Sequence, residues 1–198
     1  MMLSPAWLRT LCTVLMIGLL PLATTGCVRM VATFSDEPVD QNHGKRTAGS
    51  RLEDRNIVRK ARINLYRADE RFRQAPMKVV SFNGNLLLVG QVQDAQLKAR
   101  ASDIAGRVRH VRNVHNELQV GGGRSFWART NDTWITTRTK SRMLVDGDAQ
   151  GRRTRVVTAN GVVYLMGLLT RAEADAAVEQ AQKVYGVQKI VKIIEYID

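Results

Sequence analysis

Residue types able to do chemistry are few in this chain, and they are scattered. Histidine occurs three times, at His43, His110 and His115. His110 and His115 stand five apart near a helix–strand join, which is not the spacing of a metal-binding pair on one helix face. The carboxylates Asp94, Asp103 and Glu117 sit in unrelated contexts, without a neighbour for acid–base work. No phosphate-cradling glycine loop and no Gly-x-Ser-x-Gly elbow is present. The expectation is a protein with no catalytic residue, no metal, no cofactor and no small-molecule substrate, hence not an enzyme. Two features remain that carry physical information. One is a cysteine, Cys27, and the other is a tryptophan, Trp134, followed by the bases Arg138, Lys140 and Arg142.

The cysteine is read through what precedes it. Residues 1–26 hold one base, Arg9, and no acid. An apolar run from Leu11 to Leu22 follows, and then Ala23-Thr24-Thr25-Gly26-Cys27. A basic start, a short apolar stretch and a small-residue exit make a secretory signal peptide. The stretch falls short of the roughly 20 apolar residues of a membrane-spanning helix. The exit resembles the bacterial lipobox, with Thr24 where that pattern usually has Leu, and Leu22 lies two positions further back. By that resemblance Cys27 is acylated and becomes the new N-terminus. Cys12 leaves with the signal, so the mature chain keeps one cysteine and forms no internal disulfide. By the same resemblance Val28, where Asp would mark inner-membrane retention, points to the outer membrane.

The charge is strongly positive: 30 Lys and Arg against 18 Asp and Glu give +12. Removing Arg9 with the signal leaves +12 − 1 = +11. Such a balance favours anionic partners. Secretion argues against nucleic acid, and aromatics are only 6% of residues with no stacking platform. Lipid headgroups and wall polymers remain.

Beyond a polar stretch at 28–50 the chain repeats itself. Asn83-Gly84-Asn85-Leu86-Leu87-Leu88-Val89-Gly90 matches Asn160-Gly161-Val162-Val163-Tyr164-Leu165-Met166-Gly167 at an offset of 77. Val79-Val80-Ser81-Phe82 matches Val156-Val157-Thr158-Ala159, and Val111-Arg112-Asn113-Val114 matches Val187-Gln188-Lys189-Ile190 after a one-residue slip. A shared order over this span indicates duplication. Each copy opens with a helix whose apolar face is Ile57, Ala61 and Leu65, or Ile135, Thr139 and Met143. Asp54 and Asp132 are placed as N-caps, which makes Asn131-Asp132-Thr133 a helix start rather than a glycosylation site. Two β-branched runs flank an Asn-Gly turn. A second helix follows over Asp94 to Val108 and Arg171 to Val184, and then a last strand over Val114 to Val120 and Ile190 to Ile197. The fold class is α+β, two tandem αββαβ modules, each a three-stranded sheet packed with two helices. The segments are signal 1–26, tether 27–50, module 51–120, linker 121–129 with Gly121-Gly122-Gly123 as its hinge, and module 130–198.

The helix of Trp134 is the candidate surface. Tryptophan is amphipathic and suits a membrane interface. Arg138, Lys140 and Arg142 bring positive charge, each worth about 1 kcal/mol near an anionic surface. Leu144 and Val145 extend an apolar edge, and Arg152, Arg153 and Arg155 add a cationic cluster. Spacing alone leaves two readings open: a membrane-facing helix, or a core tryptophan with solvated arginines.

The order of elements, the Gly that ends the second strand and the Val-x-x-Val before the last resemble the BON domain. Leu86-Leu87-Leu88-Val89-Gly90-Gln91, Asn131-Asp132-Thr133-Trp134-Ile135-Thr136-Thr137 and Tyr164-Leu165-Met166-Gly167-Leu168 carry the resemblance. A tandem pair behind a lipobox is similar to the tandem-BON outer-membrane lipoproteins. The resemblance implies a lipid-anchored, periplasm-facing protein that binds anionic, phosphatidylglycerol-like phospholipid, supports envelope integrity and concentrates at division sites. It places the lipid surface on the opening helix of the second module, here about Thr133 to Leu144. That set is Trp134, Ile135, Arg138, Thr139, Lys140, Arg142 and Leu144, with Thr139 where the family has an apolar residue. The rival expectation is a scaffold that holds an envelope protein partner, such as an assembly machine or a wall-enzyme regulator.

Overall fold

The computed structural model describes residues 43–121 and 126–198, with the backbone alone for 126–129. In the first module helix α1 (Ala48–Ala68) and a four-residue helix α2 (Arg71–Gln74) precede strands β1 (Met77–Phe82) and β2 (Asn85–Val92). Helix α3 (Ala95–Gly106) and strand β3 (Asn113–Val120) complete it. The second module repeats the order with α4 (Phe126–Val145), β4 (Arg155–Ala159), β5 (Val162–Leu169), α5 (Arg171–Gln182) and β6 (Lys189–Tyr196). The strand order is β1-β2-β3 in one sheet and β4-β5-β6 in the other. The first pair in each is antiparallel and the second parallel, as a helical crossover requires. The expected α+β fold with two αββαβ modules is what the structure shows.

The hairpins turn at Asn83-Gly84 and Asn160-Gly161, all four with positive φ (51°, 77°, 51° and 72°). That is the geometry of a type I′ turn, which Asn-Gly adopts at least cost. The turn amides point inward, and here the structure corrects the sequence reading. Asp54 and Asp132 are not N-caps; both lie inside their helices. Helix α1 starts earlier, at Ala48, where the Thr47 hydroxyl accepts from the Ser50 amide at 3.1 Å. Helix α4 likewise starts at Phe126, within the stretch read as linker. The buried Asp54 carboxylate accepts from the amides of Asn83 (2.9 Å) and Gly84 (3.0 Å), from the Ser81 hydroxyl (2.6 Å) and from Arg46 (2.5 Å). Asp132 accepts from the amides of Asn160 (3.0 Å) and Gly161 (2.9 Å). One carboxylate per module thus pins the opening helix to the hairpin.

Each sheet has two covered faces. On one, Val79, Leu86, Leu88 and Leu118 pack against Ile57, Ala61 and Leu65 of α1 and Leu97, Ala101 and Ala105 of α3. In the second module Val163 and Leu165 meet Ile135 and Met143 of α4 and Ala177 and Ala181 of α5. On the other face the sheets meet each other. Val80, Phe82, Leu87 and Val89 form one core with Val157, Tyr164, Met166, Leu168 and Ile193. Strands covered on both sides read as unbroken apolar runs, which is why Leu86 to Val89 are all buried. The two modules are therefore not beads on a hinge; they share a core. Of that hinge, Gly122 and Gly123 lie outside the described residues.

The contacts around this core are reciprocal. Asn83 Nδ2 donates to Glu195 at 2.9 Å, and its counterpart Asn160 donates to Gln119 at 2.7 Å. Gln119 and Glu195 are both the seventh residue of an eight-residue strand. Use of the same positions from both sides is the pattern of a two-fold interface.

The glycine that ends the second strand has a different task in each copy. At Gly90 φ is 127°, and a Cβ would stand 2.3 Å from the Pro76 carbonyl oxygen and 2.7 Å from Met77 Cα. At Gly167 φ lies outside that left-handed region, and a Cβ would meet the Leu169 side chain at 3.0 Å, which can move. Gly90→Ala is expected to cost about 3 kcal/mol or more, and Gly167→Ala about 1 kcal/mol, by urea unfolding. Equal costs would refute the asymmetry.

A second expectation concerns the shared core. Burial, helped by Glu117, pushes the Tyr164 hydroxyl up to about 12. An unfolded tyrosine ionises near 10. Between these values the folded chain keeps a proton that the unfolded chain has lost. Stability is full below pH 10 and falls as pH rises to 12, by roughly 2 kcal/mol. Tyr164→Phe should remove this part of the alkaline loss, measured as the difference between the two unfolding curves.

Candidate membrane-contact face

Helix α4 buries one side and shows the other. Its inward side is Asp132, Ile135, Thr139 and Met143, none more than 1% exposed. Trp134, Arg138, Ser141 and Val145 follow one another outward at steps of four, three and four. Trp134 is 48% exposed, Leu144 52% and Val145 90%. Asn131, Thr133 and Thr137 fill the rest of the exposed surface, so from Asn131 to Val145 it carries no acid. At its C-terminal end Asp146 turns its carboxylate to Gln180 and to the amides of Asp148 and Ala149.

The expected lipid residues separate on this geometry. Trp134, Arg138 and Leu144 are presented to solvent. Ile135 and Thr139 are not; both are fully buried in the module, so neither can meet a bilayer. Helical spacing explains this, because 135 and 139 share the face of Met143 and not that of Trp134. The Thr139 hydroxyl is buried without a partner among the described residues, which makes its departure from an apolar residue a matter of packing. Lys140 is half-buried and its ammonium donates to the carbonyls of Gly151 and Thr154. Desolvation, and then the charge of Arg155, push its pKa down. Arg142 is also half-buried. Of the three bases expected beside Trp134, only Arg138 stands fully on the face.

Sequence reasoning missed Tyr185, which is 88% exposed. It precedes Gly186, whose backbone closes on α4: a Cβ there would lie 3.3 Å from Ile135 Cδ1 and 3.8 Å from Asn131 Nδ2. Tyr185 thus stands one residue from a backbone position that approaches the N-terminal half of α4. A single loop tyrosine has no periodicity to betray it. Cys27 lies outside the described residues. His110 faces Glu53, with Nδ1 3.3 Å from its carboxylate. Among the described residues no three His, Cys, Asp or Glu side chains converge as metal ligands.

Comparison with known proteins agrees with the architecture. The chain is 34% identical over 173 residues to the outer membrane lipoprotein DolP of Haemophilus influenzae, covering 87% of this chain and 90% of that one. It is 34% identical over 160 residues to the 21 kDa hemolysin of Actinobacillus pleuropneumoniae, covering 81% and 80%. Osmotically-inducible protein Y of Escherichia coli is 27% identical over 157 residues, covering 78% and 77%. The BON domain pattern matches residues 54–122 and 131–198, one match in each module. Two αββαβ modules, each matched by that pattern, mean that this chain belongs to the BON domain family.

Proposed function

We propose that this protein is an outer-membrane lipoprotein, anchored through acyl chains on Cys27 and facing the periplasm. In this reading it docks on anionic phospholipid through the outward face of α4 and supports envelope integrity without catalysis. The observation that carries the reading is the exposure of apolar groups on the acid-free outer surface of α4, Trp134, Leu144 and Val145, with a further exposed aromatic, Tyr185, in the loop before Gly186. A soluble surface gains nothing by holding these in water, whereas burying such a side chain in an apolar phase is worth about 1.5–3 kcal/mol. The relative named an outer membrane lipoprotein supports the location. Among the described residues no helix is long and apolar enough to cross a membrane, so attachment through an acylated N-terminus fits.

The magnitudes set which term dominates. Arg138 contributes about 1 kcal/mol at an anionic surface, less than the apolar groups together. The test is flotation of residues 27–198 carrying Cys27→Ser with phosphatidylglycerol or phosphatidylcholine vesicles. Recovery should be higher on phosphatidylglycerol, fall several-fold in Trp134→Ala and Val145→Ser, and fall less in Arg138→Gln. Equal recovery on both lipids, untouched by Trp134→Ala, would exclude the face. The anchor is checked separately: palmitate labelling of the full chain should disappear in Cys27→Ser.

A further inference from the structure

A different surface carries an unassigned site. Helix α1 sets Arg51, Arg55, Val58 and Arg62 in one line, at steps of four, three and four. This line borders an open cleft of about 680 Å³ that Arg155 of β4 lines from the second module. The single carboxylate in its lining is Asp54. Asp54 already accepts from two turn amides, Ser81 and Arg46. Some arginines elsewhere pair with acids, among them Arg71 with Asp69 and Asp94, Arg107 with Asp103 and Arg112 with Glu195; what sets the cleft apart is that several arginines gather around one space. Arg51, Arg55, Arg62 and Arg155 form no ion pair among the described residues, and of the carboxylates Arg155 feels only the more distant charge of Asp54. We propose that this cleft binds an anion carrying two or more phosphate groups.

The chemistry selects the ligand class. A guanidinium presents parallel N–H donors that match the oxygens of phosphate. From Arg51 to Arg62 the helix rises about 16 Å, too far for one phosphate to bridge, so the ligand carries several. The crowding of like charge is visible in the site itself. Desolvation and then the charge of Arg46 pull the Arg155 pKa down, with Asp54 opposing. A bound polyanion would relieve that repulsion.

The cleft is not a by-product of duplication. In the second module the positions of Arg51, Arg55, Val58 and Arg62 are Arg129, Thr133, Thr136 and Lys140, aligned on Asp54 and Asp132, so the arginine at the centre of the line is lost. The counterpart of Arg155 is Lys78, whose ammonium donates to the Thr158 carbonyl at 3.0 Å. Only the first module has the arginine line, and only the second has Trp134. The site stands apart from the α4 face and does not depend on it.

Two sources share this chemistry: a lipid headgroup with two phosphates, and a soluble polyphosphate. The test titrates sodium tripolyphosphate into residues 27–198 carrying Cys27→Ser, followed by arginine side-chain NMR and calorimetry. Saturable shifts at Arg51, Arg55, Arg62 and Arg155 are expected. Arg51→Gln with Arg155→Gln should weaken binding on the order of tenfold or more, with the circular dichroism of the fold retained. Lys60→Gln, across the helix, should leave it unchanged, and inorganic phosphate should bind far more weakly. No saturable binding, an equal loss in Lys60→Gln, or equal affinity for inorganic phosphate overturns the proposal. Cardiolipin in phosphatidylcholine vesicles, added to a Trp134→Ser background, tells the source. If they move the same arginine signals the headgroup is the ligand, and if only tripolyphosphate does, the ligand is soluble.

Discussion

The burial of one sheet against the other is the constraint on which the rest of the molecule depends. A three-stranded sheet with helices on one side leaves its second side bare, and about 70 residues do not make a generous core. Val80, Phe82, Leu87 and Val89 of one module have no helix to cover them. Tyr164, Met166 and Leu168 of the other are in the same position. Each sheet is the missing layer of its neighbour. The result is four layers, helices outside and sheets inside, in which the modules stand or fall together. The polar ties at the rim, Asn83 to Glu195 and Asn160 to Gln119, set the register of this stack rather than supply its energy.

With the sheets committed inward, only helices and loops remain to meet the outside. The two opening helices do so differently although their inner faces match. The outer line of α1 is arginine around a cleft. The outer line of α4 is tryptophan, arginine and valine on an open face. The inner faces hold to buried residues that are apolar except for Thr139 and one aspartate per helix, because there the hairpin turn and the sheet dictate size and polarity. The outer faces are under no such packing rule.

Much of this architecture is legible in the residues alone. The duplication, the αββαβ order and the buried sides of the opening helices follow from periodicity and from the Asn-Gly turns. What escapes the sequence is of four kinds. Asp54 and Asp132 look like helix caps because aspartate near a helix start usually is one, yet their partners are turn amides 28 to 30 residues away. The second cover of the sheet was written in Leu86 to Val89, where no polar residue alternates, but a run so short does not say what covers it. Within the candidate face, Trp134 and Leu144 stand out by type, whereas Ile135 and Thr139 enter only through the resemblance of the whole opening helix, and helical phase buries them. Tyr185, and the meeting of Arg155 with α1, exist only in three dimensions.

The reciprocal ties have a consequence for how such a chain comes to be asymmetric. Two identical subunits joined by this interface would form a dimer in which every surface change appears twice. A tryptophan useful at one pole would be matched by another at the opposite pole, and an arginine cleft would come in pairs. Placing both halves on one chain keeps the interface and lifts that restriction. Each half can then change its exterior while the contact between them holds both to the same interior. The molecule is in this sense a dimer relieved of its symmetry, and its two unlike outer helices are what that relief permits.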